Sequence, residues 1–175
     1  PRLVFPYRSL KSWLLDILRR PGMRSLMSQA WSRQSQSQWR DIFDAEALGR
    51  FTGPDGRVPF SVQPNDSLHL VFSLFIDWFN PFGNKRAGKS HSIGAIYLVC
   101  MNLPEDIRYR PENICLVGVI PGPREPELHQ LNHLLRPLVD ELLELWNRGY
   151  FVVSDVAGEA GVLVRAALIP LVCDI

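Results

Sequence analysis

The sequence has no hydrophobic run long enough to span a bilayer; its apolar stretches reach about ten residues before charge or proline interrupts them. It has no initiator methionine, no apolar leader and no cleavage-site pattern. Internal repeats are absent as well. Cysteines are few: Cys100, Cys115 and Cys173 lie in apolar, strand-like segments, and no two have metal-ligand spacing. They read as reduced core thiols of an intracellular protein. Apolar residues are not lacking, since 46% of the chain is hydrophobic, with 9 Phe, 5 Trp and 4 Tyr. That excludes disorder for most of its length and supports one modest core with a helical annex. The chain starts at Pro1 and stops at Cys173-Asp174-Ile175, within a strand-like run, so it reads as a piece of a longer protein.

Net charge is also scarce, +1 overall, but it is unevenly spread. Residues 1–50 carry nine Lys/Arg against four Asp/Glu, whereas residues 126–175 carry three against seven. A basic N-terminal third suits a phosphate backbone. A pair of solvated helix faces accounts for it equally well.

The first fifty residues read as helical. Leu10, Trp13, Leu14, Ile17 and Leu18 recur at helix spacing up to Pro21-Gly22. Met23 to Trp31 and Asp41 to Phe51 form two further candidates, separated by the polar run 32–38. We therefore expect a small helical, basic region over 1–52 and a second unit over 67–175. In the second unit Leu68–Phe79, Ser92–Leu103 and Asn113–Ile120 are rich in Val, Ile, Leu, Phe and Tyr, and loops suited to antiparallel neighbours separate them. Pro126 to Trp146 switches to helical period, with Pro126 in the first turn and Gly149 past the end; Pro137 should kink or divide this helix. Phe151–Val156 and Val162–Val172 follow as strands, although Pro170 leaves a short helix open for the last. Three antiparallel strands, a long helix and a returning strand parallel to the first follow the logic of a ribonuclease-H-like α/β core.

Asp77 is the residue that stands out in that arrangement. It sits in Val71-Phe72-Ser73-Leu74-Phe75-Ile76-Asp77-Trp78-Phe79, where a buried carboxylate has to be paired, hydrogen-bonded, metal-bound or protonated. A turn begins at Asn80, so a capping role for Asp77 is as plausible as a ligand role. Asp174 also follows an apolar run, at the same end of a strand expected to lie parallel to the first. Two such acids can share a hard cation, and Mg²⁺ takes oxygen ligands at about 2.0–2.1 Å. A pair of ions roughly 3.5–4 Å apart would clamp a phosphodiester. Lys85, Arg86 and Lys89 form a basic loop just after Asp77; it suits a phosphate backbone or a plain solvated turn. Gly88-Lys89-Ser90 lacks the glycine spacing of a nucleotide-binding loop. His129 and His133 stand at i, i+4 without a third ligand, and read as a helix-surface pair.

The run Phe75-Ile76-Asp77-Trp78-Phe79-Asn80-Pro81-Phe82-Gly83-Asn84-Lys85 resembles a signature of CACTA-type (En/Spm-like) cut-and-paste transposases, especially fungal forms. The likeness continues in order through Asn102-Leu103-Pro104, Ile120-Pro121-Gly122-Pro123-Arg124-Glu125-Pro126, Leu135-Arg136-Pro137-Leu138 and Val164-Arg165-Ala166-Ala167-Leu168, up to Cys173-Asp174. Plant-type members often carry Gly where Trp78 stands. The resemblance implies a transposase core with an Asp, Asp, Glu metal site holding Mg²⁺ or Mn²⁺. Asp77 matches the first Asp and Asp174 the second, with the Glu further along. It also implies DNA as partner, at transposon ends and target, a nuclear location, no membrane, and room for a homo-oligomer in the full-length protein. The competing reading is a catalytically inactive, transposon-derived module that binds DNA or protein; a related nuclease acting on RNA is a third. Fold alone does not separate them.

Overall fold

The computed structural model of the chain describes residues 4–32, 39–81, 92–154 and 160–173. Within them, five strands form one mixed sheet in the order β3-β2-β1-β5-β4: β1 Ser67–Phe79, β2 Ile93–Cys100, β3 Ile114–Ile120, β4 Tyr150–Val152 and β5 Val162–Cys173. The first three strands are antiparallel neighbours, and β5 returns parallel to β1. Helix α5, Leu128–Asn147, makes the crossover. Its N–H chain ends at Gly149, which takes φ 78° and donates to Glu144 O at 3.1 Å, turning the backbone into β4. A side chain would strain that left-handed position, so glycine stands there.

Alternation along β1 divides the core in two. Leu68, Leu70, Phe72 and Leu74 face Leu10, Trp13, Leu14 and Ile17 of α1, Leu10–Leu18, together with Leu138, Leu142 and Leu145 of α5. Trp13 meets Phe72 edge-on, ring centroids 5.8 Å apart. Val71 and Phe75 face the other way with Val99, Met101 and Tyr97. That side is closed by Trp31, Ile42, Phe43 and Leu48, the last in α3, Glu46–Arg50. The N-terminal helical region is thus part of the sheet's packing. Its excess positive charge is partly absorbed there: Lys11 Nζ reaches Glu144 of α5 at 2.6 Å, and Arg8 pairs with Asp16. Upstream of α1, Arg8 N donates to Val117 O at 2.7 Å and Tyr7 bridges Gly118, so the N-terminal segment covers part of the β3 edge.

Several expectations need correction. Met23–Trp31 is not one helix but α2, Met23–Ser28, continued by a 3-10 turn over Gln29–Ser32. The second strand ends at Cys100 rather than Leu103: Met101 N still donates to Val71 O, but the Val71 N–H goes to the Asn102 side chain and not to a backbone carbonyl. Pro137 does not divide α5, which runs unbroken from Leu128 to Asn147 with Pro137 on its exposed side. The last segment is the strand expected, and not the short helix that Pro170 left open. Phe72 pairs with Leu168 and Leu74 with Leu171, so two residues, Ile169 and Pro170, oppose Ser73 alone. This bulge accommodates a residue that has no N–H to give. A four-residue helix, α4 Glu105–Arg108, was not expected at all.

Buried polar groups lock these layers together. The Asn102 side chain, with no exposure, accepts from Val71 N at 2.7 Å and donates to His69 O and Met27 O at 3.0 and 3.2 Å. Its amide is fully used, as burial demands. His69 is buried and stacked on Phe60, and its Nδ1 lies 2.7 Å from Phe60 O; a carbonyl only accepts, so Nδ1 carries the proton. Burial first, and the Arg165 cation second, hold His69 below the usual imidazole range, against the opposing hydrogen bond to Phe60 O. A group whose folded pKa lies below its unfolded value stabilises fully above the unfolded value, about 6.5, and loses that contribution as pH falls below it. Urea unfolding between pH 7 and 5 should therefore show stability declining on the acid side in the wild type. A His69→Gln variant, less stable at neutral pH, should lack that limb; an unchanged acid slope would assign the decline to other groups.

Candidate metal centre

Asp77 lies two residues before the end of β1, cross-strand from Ala95 in β2. The sequence suggests a buried charge, but the structure overturns that: Asp77 is exposed. The groups that close this face of the sheet reach only as far as Phe75 and Tyr97, so Asp77 and then Phe79 stand in water. Among the described residues no hydrogen bond or ion pair holds the carboxylate. On the opposite face Trp78 lies flat over Gly94, where an added Cβ would come within 2.6 Å of the ring. That close approach fixes the strand immediately beside the acid.

The aromatic neighbours of Asp77 are ordered. Phe75 and Tyr97 are direct cross-strand partners, stacked at 5.0 Å with planes 2° apart. Burial first, and the nearby Asp77 carboxylate second, push the Tyr97 phenol up from its ordinary value. Tyr97 therefore stays protonated at neutral pH, a donor beside an acceptor.

Along the other side of β1, the parallel register with β5 runs from Ser67↔Leu163 to Ile76↔Cys173. It ends one position short of Asp77. Asp174, Lys85, Arg86 and Lys89 lie outside the described residues. Among the described residues no three His, Cys, Asp or Glu side chains converge on a common point. His129 and His133 are exposed on α5. Cys100 and Cys115 are free and buried, and burial pushes both thiols up to about 12, which suits core packing and not ligation. As a hard oxygen donor at an open strand end, Asp77 suits a Mg²⁺-type ion, which binds through one or two carboxylates and keeps several waters.

Tyr97 is a site neighbour that the sequence reading missed. Its signal was the antiparallel pairing itself, which sets an aromatic of the second strand diagonal to an acid of the first once the register is known. No described helix is long and apolar enough to cross a membrane.

The molecule is a mixed α/β protein whose central strand carries an exposed acid near its C-terminal end. The family model described as transposase family tnp2 matches residues 58–175, and the chain belongs to that family. It is thus transposase-derived. No curated protein shows a significant match to the chain.

Proposed function

We propose that this chain carries part of the catalytic core of a cut-and-paste DNA transposase of CACTA type, with a ribonuclease-H-like fold. The observation that carries the reading is the β1–β5 register, parallel and ending at Ile76↔Cys173. One further residue on each strand is an acid, Asp77 and Asp174. If the pairing ran one position further, Asp77 and Asp174 would be neighbours on adjacent strands, whose backbones lie about 4.8 Å apart. They would hold Mg²⁺ or Mn²⁺ between them, with water and phosphate oxygens filling the remaining positions. The bound metal would supply Lewis-acid activation of water or a DNA 3′-hydroxyl and neutralise the phosphodiester charge. The chain's own part is positional. The Gly94–Trp78 contact and the Phe75–Tyr97 stack fix the strand end that presents Asp77, and the open face leaves access for a nucleic-acid backbone. Lys85, Arg86 and Lys89 would touch phosphates nearby. Chromosomal DNA as substrate implies a nuclear location, and the full-length protein would act as a homo-oligomer.

Mn²⁺ titration followed by NMR is the test. Paramagnetic broadening is expected at residues around both Asp77 and Asp174, and Asp77→Asn should abolish it at both. A folded wild-type protein without broadening would leave the inactive, transposon-derived binding module as the better account.

A further inference from the structure

The Tyr97 ring helps to fix the strand end, but its hydroxyl has no role in the metal reading, and its placement is unusual for a core aromatic. It shares the open face of the sheet with Asp77, diagonal to it across the β1–β2 pair, a spacing long side chains bridge. The residue directly opposite Asp77 is Ala95, whose methyl group leaves the carboxylate's flank clear. On Tyr97's other side its β3 partner, Leu116, is 46% exposed, so that side of the ring is not covered by a helix. The ring itself is held, stacked on Phe75 and rooted in the cluster with Val71, Val99 and Met101. Tyr97 is thus an anchored ring, partly exposed beside an acid, and a phenol hydroxyl is by nature a neutral donor at neutral pH.

We propose that the Tyr97 hydroxyl is a substrate-binding group: it donates a hydrogen bond to a non-bridging phosphate oxygen of a nucleic-acid strand lying across the sheet at Asp77. A neutral donor suits that position. It adds no negative charge to a site that must accept a phosphate, and its pre-stacked ring loses little freedom on binding. The proposal rests on the metal reading of Asp77, because a bare carboxylate would repel the phosphate that Tyr97 is to receive.

The test uses the full chain, Mn²⁺ and a mixed-sequence single-stranded oligonucleotide, with metal broadening and oligonucleotide affinity measured separately. Tyr97→Phe keeps the stack on Phe75 and should keep the Mn²⁺ broadening at Asp77, while oligonucleotide affinity in Mn²⁺ falls about tenfold. Unchanged affinity in Tyr97→Phe, or a wild type that takes Mn²⁺ but not the oligonucleotide, would overturn the contact. Loss of Mn²⁺ broadening in Tyr97→Phe would also overturn it, by making the hydroxyl a support for the carboxylate. Absence of broadening in the wild type would remove the metal reading first and this proposal with it.

Discussion

An Arg108→Met variant is expected to lose about 3–5 kcal/mol of folding stability. Arg108 and Asp41 form an ion pair with side chains only 4% and 3% exposed. The guanidinium also donates from Nε to Leu103 O at 2.9 Å, so it ties the strip before the sheet to the turn after β2. Methionine fills much of the volume but takes the Arg108 cation away from the buried Asp41 carboxylate, and that lost pairing carries most of the loss. Removing both charges together, as Arg108→Met with Asp41→Asn, should therefore cost less than Arg108→Met alone. Urea midpoints for the three proteins check this. A loss under about 1 kcal/mol in the single variant would mean that water reaches the pair, as it does at surface bridges.

Phe72→Ala should be comparably damaging, at about 3–5 kcal/mol. Phe72 is fully buried in the middle of β1, paired to Cys100 on one side and Leu168 on the other. Its ring also seats Trp13, which anchors α1 to the sheet. Truncation leaves a cavity that backbone hydrogen bonds on both flanks prevent from collapsing. Phe72→Leu should lose clearly less. Thermal unfolding followed by near-ultraviolet circular dichroism would show both the stability loss and a changed Trp13 environment. A Phe72→Ala protein within about 1 kcal/mol of wild type would mean that α1 moves in to fill the space.

What the sequence made legible was the part governed by local pattern. Enrichment in Val, Ile, Leu, Phe and Tyr marked the β1 region, the switch to helical period marked α5, and Gly149 its end. The parallel return of the last strand followed from chain order and the crossover rule. Contacts between distant residues were not legible. Asp41 and Arg108 stand 67 positions apart, and each taken alone reads as surface charge. Asn102 likewise read as one residue of the second strand, although its amide joins three backbone segments. The exposure of Asp77 depended on how far Trp31, Ile42, Phe43 and Leu48 extend over the second face of the sheet, which no periodicity in β1 can report. Apolar neighbours in sequence are not always neighbours in the core: Phe79, in the same run, is itself 48% exposed.

The bulge at Ile169–Pro170 has a bearing beyond strand geometry. β4 pairs only with Val162–Leu163–Val164, so among the described residues the outer margin of β5 from Arg165 onward carries no strand partner. An open margin of that kind is a template on which a second polypeptide can add itself, and repeated addition leads to fibres. Proline withholds the N–H that such an intruder would need, and the extra residue twists the margin out of register. The same two residues that bend β5 alongside β1 therefore also make that margin a poorer template for a second copy of the chain.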